Sequence, residues 1–186
     1  MSQTATDRRV MSLGILGAGG LGRAACRIIE QKRELRVTAI CDSRGIVIDP
    51  DGVAPSLVAS LSGDLVDGYT VAAAAQGQPA AAVARHCDDP LGAVLEAADV
   101  CDAWLITLPN MPNAFIPGVV ERFVHARQDL VLVDVLKRTA AVEQLFELDA
   151  PVKASRSVVL TGCGATPGLL TAAAVLAAQS FTTVER

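Results

Sequence analysis

The chain has 186 residues, of which 51% are hydrophobic, 19% charged and 3% aromatic, and its formal net charge is −4. That composition describes a compact globular protein with one main core and excludes disorder for most of the length. An acidic balance with so few aromatics leaves neither the basic patch nor the stacking surface that nucleic-acid binding requires.

Apolar stretches such as Gly168 to Ala178 are broken well short of the roughly 18 residues of a membrane span, so a soluble protein without membrane partners is expected. Arg8 and Arg9 precede an apolar run, but a glycine cluster interrupts it, and no export signal is read there. Five cysteines (Cys26, Cys41, Cys87, Cys101, Cys163) are odd in number and form no C-x-x-C pair, with His86 and His125 as the two histidines. They read as reduced thiols of a cytoplasmic protein, and no metal site is expected.

In chain order, Met1 to Met11 reads as a loose tail, and Ser12 to Leu16 as a short buried strand leading into Gly17-Ala-Gly-Gly-Leu-Gly22. Arg23 to Lys32 follows as a helix with Ala24, Ala25, Ile28 and Ile29 on one stripe, and Leu35 to Cys41 as a strand ending at Asp42. This is one βαβ unit within about 30 residues. Ser43 to Tyr69 is rich in Gly, Asp, Pro and Ser and reads as a long surface excursion with a short helix near Ser56 to Leu61. An Ala-rich segment, Val71 to His86, is broken by Gln-Gly-Gln-Pro, and Pro90 to Ala98 opens and forms a helix. Ala103 to Leu108 reads as the fourth strand, Pro109 to Pro112 as a turn and Ala114 to Ala126 as a helix. Leu130 to Leu136 is the fifth strand, Ala140 to Leu148 a helix, Ser157 to Thr161 the sixth strand, and Thr166 to Ser180 a helix with Thr166 as N-cap and Pro167 in its first turn.

Alternating strands and helices predict an α/β fold: a doubly wound parallel sheet, a Rossmann NAD(P)-binding domain. The expected limits are a tail over 1–11, a dinucleotide-binding domain over 12–165 and, from 166 to 186, a helix leading into a truncated second α/β domain.

In the fingerprint, Gly17 is expected to make the tight turn, Gly19 to let backbone N–H groups approach a pyrophosphate, and Gly22 to pack the helix closely, with Gly20 and Leu21 beside the phosphates. Asp42, about 20 residues past the fingerprint, suits the ribose hydroxyls of NAD, and Arg44, after Ser43, suits the 2′-phosphate of NADP. Both cofactors stay open, as does a plainer role for Asp42 as a turn cap with Arg44 in solvent. Leu108, Pro109 and Asn110 leave the fourth strand where the nicotinamide ring is expected, although Pro-Asn is also ordinary turn chemistry.

Lys137 follows a strand apolar enough to desolvate an amine in part, which favours a nucleophile able to form a Schiff base with a carbonyl. The alternative is a surface lysine paired with Asp134 or Glu143. Cys163, between Gly162 and Gly164, is read as a small buried structural thiol rather than a nucleophile. His86 is placed on an exposed loop and His125 on a polar helix face, without triad partners.

The fingerprint, Cys41-Asp-Ser-Arg-Gly45, Asp134-Val-Leu-Lys-Arg-Thr139 and Thr161-Gly-Cys-Gly-Ala-Thr-Pro-Gly-Leu169 together resemble the saccharopine dehydrogenase-like reductases, and among them the suicide enzymes of biotin biosynthesis. The likeness runs from Leu13 to Phe181. It implies an NAD(P)H-dependent, single-turnover reaction on 8-amino-7-oxononanoate. A lysine, matched here by Lys137, condenses with the ketone, the imine is reduced, the bound diamine takes up CO2, and oxidation and hydrolysis release a carbamate. The nitrogen stays with the product and the lysine is left as an aldehyde. The resemblance also implies a second α/β domain over the crevice and a homo-oligomer formed through it. The alternatives are a homoserine dehydrogenase-like oxidoreductase in which Lys137 survives, and an NAD(P)-binding fragment without chemistry.

Overall fold

The computed structural model describes residues 9–77, 83–109, 112–166, 168–181 and 183. The chain divides into two compact units, Met1–Pro109 and Asn110–Arg186.

In the first unit, β1 (Met11–Leu16) leads into α1 (Gly20–Ile29), β2 (Leu35–Cys41) and β3 (Gly45–Ile48). Then come α2 (Pro55–Ser60), α3 (Leu65–Ala75), β4 (Val83–His86), α4 (Pro90–Glu96), a short 3-10 turn (Ala98–Val100) and β5 (Ala103–Ile106). The strands stand in the order β4-β3-β2-β1-β5. β1 pairs in parallel with both β2 and β5, and the register aligns Leu16 with Cys41 on one side and with Ile106 on the other. β2 is buried on both faces from Val37 to Cys41, as a central parallel strand must be.

Two corrections concern the segment after Asp42. Gly45–Ile48 is a fully buried strand rather than surface loop, and it runs antiparallel to β2 and to β4 beside the expected parallel pairs. The reason is local. Asp42 N–H donates to Gly45 O (3.1 Å), closing a two-residue hairpin through Ser43 and Arg44, with Asp first and Gly last as such a turn favours. Ile46, Val47 and Ile48 then carry the chain back through the core. Val53, Leu57, Val58, Leu65 and Tyr69 are buried as well, so most of the expected excursion closes the core beside Ile15, Val37 and Ile40.

The second unit contains α5 (Phe115–Ala126), β6 (Val131–Asp134), α6 (Thr139–Glu147), α7 (Asp149–Ala154), β7 (Val158–Leu160) and α8 (Leu169–Ala178). β6 and β7 pair in parallel. Val120, Phe123, Leu132, Ala141 and Leu145 are buried there. α8 is apolar along its length, yet Leu169, Leu170, Val175 and Leu176 are exposed. Its N-cap is Gly168 rather than Thr166; Pro167 lies outside the described residues. No helix among the described residues is long and apolar enough to cross a membrane.

Candidate functional site

The glycine turn follows β1 directly. Gly17 has φ +112°, a conformation open to glycine but strained for other residues, and its N–H donates to Cys41 O at 3.0 Å. A Cβ on Gly17 would stand 2.8 Å from Thr107 O, and one on Gly22 would run into Gly17 O. These two glycines are required by close approach. Gly19 and Gly20 differ, because a Cβ on either would meet nothing within 4 Å.

α1 starts at Gly20 rather than Arg23, with Gly19 as an extended N-cap that offers no side-chain acceptor. Gly20, Leu21 and Gly22 therefore form its first turn, and the backbone donors of a helix start lie beside the open space at Gly19 and Gly20. Such a helix start suits an anion, so the residues fit a dinucleotide pyrophosphate.

Two residues that the sequence did not single out hold this turn. The buried Thr107 hydroxyl lies 2.7 Å from Gly17 O and 3.2 Å from Leu16 O. Arg23 donates from Nε to Ala18 O at 2.8 Å, while its terminal nitrogens reach Leu61 O and Gly63 O. One guanidinium thus ties the glycine turn to the α2–α3 connection. Leu108 also reaches the turn through its backbone, its N lying 3.2 Å from the place of a Gly17 Cβ, whereas Pro109 is exposed. Asn110 lies outside the described residues.

Asp42 is half-buried at the end of β2, and both of its carboxylate oxygens are engaged. Oδ1 accepts from Arg44 N (2.8 Å) and Gly45 N (3.0 Å), and Oδ2 accepts from Leu65 N at the start of α3 (3.2 Å). The turn-capping role is therefore present, and it leaves one acceptor position on Oδ2 free of these backbone donors. Ser43 and Arg44 are exposed, and Arg44 reaches Asp64 Oδ2 at 3.5 Å.

His86 ends β4 instead of lying on a loop, and it has partners: its Nε2 is 3.1 Å from Asp64 Oδ1 and 3.7 Å from Asp67 Oδ1. Asp64 also caps α3 by accepting from Asp67 N, and this bond, helped by His86, holds its carboxyl below the ordinary carboxylate range.

In the second unit Lys137 is exposed, so the desolvation expected for it is not supplied within these residues. The cause is Asp134. This fully buried carboxylate accepts from Leu136 N at 2.8 Å, an Asx turn that ends β6 three residues before Lys137 and carries the lysine outward. Asp134 Oδ1 also accepts from Thr161 Oγ1 (3.1 Å), and Asp134 O from Cys163 N (3.0 Å), so the Lys137 and Cys163 loops hang on one residue. Among the described residues Asp134 Oδ2 is buried without a hydrogen-bond partner. Among the described residues Lys137 makes no ion pair with Asp134 or Glu143. Cys163 is exposed rather than buried, and all five cysteines are free. Burial raises the thiols of Cys26 and Cys101 to about 11 and that of Cys41 to about 12.

No family model matches the chain. The (S)-8-amino-7-oxononanoate synthase BioU of Haloferax mediterranei is 34% identical to it over 199 aligned positions, which take in 94% of this chain. The chain resembles BioU along nearly its whole length. It spans 54% of that relative.

Among solved structures, saccharopine dehydrogenase (L-Glu forming) from Saccharomyces cerevisiae matches with TM-score 0.57 and 18% identity, over 91% of this chain and 31% of that one. A putative myo-inositol dehydrogenase from Sinorhizobium meliloti gives 0.52 and 18%, over 95% and 44%. The fold is thus the α/β fold of these dehydrogenases.

Proposed function

We propose that this chain is the dinucleotide-binding part of a BioU-like enzyme of biotin biosynthesis, with NAD(P)H at Gly17–Gly22 and an amino-ketone, 8-amino-7-oxononanoate, at Lys137. The observation that carries the cofactor half is the open helix start at Gly19 and Gly20, framed by Gly17 and Gly22 in close contact with their surroundings. The likeness to BioU supports the substrate. Gly17 shapes the turn, the α1 donors face the phosphates, and Asp42 receives the ribose. The bound cofactor supplies hydride.

Lys137 provides the amine. In its neutral form Nζ attacks the ketone carbon, and loss of water leaves an imine that joins protein and substrate. CO2 is the proposed co-substrate; two-electron oxidation at the Lys137 side-chain carbon, with the oxidised dinucleotide left by the imine reduction as acceptor, and addition of water would break the C–N bond, so that the nitrogen leaves with the product and an aldehyde stays on the chain. The free thiols are consistent with a reducing cytoplasm. The exposed apolar residues of α8 support a continuation into a covering domain.

Titration calorimetry tests the cofactor half: micromolar or tighter binding of NADH or NADPH is expected, and absence of both refutes it. A second reading, a cofactor-binding module without chemistry, is favoured by the exposure of Lys137. It expects dinucleotide binding with Lys137 always unmodified.

A further inference from the structure

Asp64 holds two basic side chains from different parts of the first unit. His86 Nε2 approaches one carboxylate oxygen at 3.1 Å, and Arg44 approaches the other at 3.5 Å. Asp64 immediately precedes Leu65, whose N–H Asp42 accepts, and Asp42 follows Cys41, the register partner of Leu16. Asp42 therefore stands level with Gly17, and a short chain of bonds runs from it through the α3 start to Arg44 and His86. Asp64 and Asp67 approach the Arg44 guanidinium or the His86 imidazole, and the Asp42 carboxylate accepts from backbone N–H groups beside them, so the charge summed over these five side chains is negative whether His86 is neutral or protonated.

We propose that Asp64 sets the dinucleotide preference by occupying Arg44 and His86, so that the ribose end of the site favours NAD(H) over NADP(H). The inference rests on the dinucleotide reading of Gly17–Gly22 and names which form that site takes. A 2′-phosphate brings close to two negative charges and needs cationic donors. Arg44 lies where such a donor is wanted, yet it is paired with Asp64. His86, which ends β4 opposite Gly45 of β3, is paired with the same carboxylate. The 2′-hydroxyl of NAD brings no charge and needs an acceptor, which Asp42 provides.

Arg44 and His86 are 70% and 49% exposed, so solvent screens these contacts and a moderate effect is expected. The test uses the full-length protein and reads the ratio of NADPH to NADH affinity. Asp64→Asn removes the charge while keeping an N-cap acceptor for Asp67 N, and Asp64→Ser serves if Asn impairs folding. The parent is expected to bind NADH more tightly. In Asp64→Asn the ratio should move toward NADPH by about threefold or more, the scale of a screened charge contact, and adding Arg44→Ala and His86→Gln should abolish the gain. An unchanged ratio with NADH binding intact overturns the proposal, as does a gain that survives loss of both basic side chains. A parent that binds neither dinucleotide refutes the underlying site, and the preference falls with it.

Discussion

The Thr107 hydroxyl lies 2.7 Å from the Gly17 carbonyl oxygen and fastens the end of β5 to the turn that follows β1. It also stands 3.0 Å from where a Gly22 Cβ would be, so one buried side chain meets the first and last fingerprint glycines. Thr107→Val keeps the shape and removes the donor, leaving a buried carbonyl short of a partner. A loss of about 1–3 kcal/mol is expected by urea denaturation. Dinucleotide affinity should fall with it, and Thr107→Ser should restore most of both. If Val and Ser behave alike, the hydroxyl does not hold the turn.

The fingerprint glycines separate folding from binding. A Cβ on Gly22 collides with Gly17 O, whereas one on Gly19 meets nothing and its φ of −75° is open to any residue. Gly22→Ala should therefore lower the melting temperature. Gly19→Val should melt as the parent does and yet lose NADH and NADPH binding by calorimetry, because its side chain fills the space proposed for the phosphates. Parent-like affinity in Gly19→Val would remove the pyrophosphate from this turn.

Where local pattern and tertiary role coincide, the sequence was readable. Leu35–Cys41 was expected and found to the residue, since its stretch buried on both faces, Val37 to Cys41, is apolar but for Thr38. Gly45–Ile48 was hidden because only three apolar residues stand between Asp-Ser-Arg-Gly and Asp-Pro-Asp-Gly, and so short a run looks like loop. The pairing of Asp64 with His86 joins residues 22 positions apart, which no periodicity records. Lys137 was expected to be half-desolvated because Val135 and Leu136 look like strand. The Asp134 carboxylate competes for the Leu136 N–H and ends the strand early. In these cases the deciding bond is a backbone turn, a pair of side chains or a side chain acting on nearby backbone, and composition shows none of them.

The buried thiols give the protein an alkaline limit. Burial raises Cys26 and Cys101 from 9.0 to about 11 and Cys41 to about 12. A folded value above the unfolded one means that the native state keeps its protons longer, so this contribution is complete below pH 9 and disappears as pH rises through 11 to 12. The urea midpoint should fall steadily across that interval, and replacing Cys101 with Val should flatten part of the fall. At pH 8, iodoacetamide should label the exposed Cys163 well before Cys26 or Cys41 by peptide mass mapping. Equal labelling would contradict the burial.

Lys137 decides between sacrificial chemistry and ordinary dehydrogenation. Its loop is fixed by Asp134 and hence to the Thr161–Cys163 loop, so the amine is exposed on an anchored support. Arginine at this position keeps charge and reach but is effectively always protonated, so it cannot attack a ketone. Lys137→Arg is expected to bind cofactor as the parent does and to form no adduct with 8-amino-7-oxononanoate in the full-length protein. In the parent, incubation with substrate, NAD(P)H and bicarbonate should stop after one turnover, and peptide mapping should show the Lys137 amine converted to an aldehyde. Asp134→Asn retains an acceptor for Leu136 N and should slow this conversion less than Asp134→Ala, which frees the Leu136 N–H and the Thr161 hydroxyl while Cys163 N keeps the backbone carbonyl. Repeated turnover with Lys137 chemically intact would refute the sacrificial mechanism and leave a conventional oxidoreductase in its place.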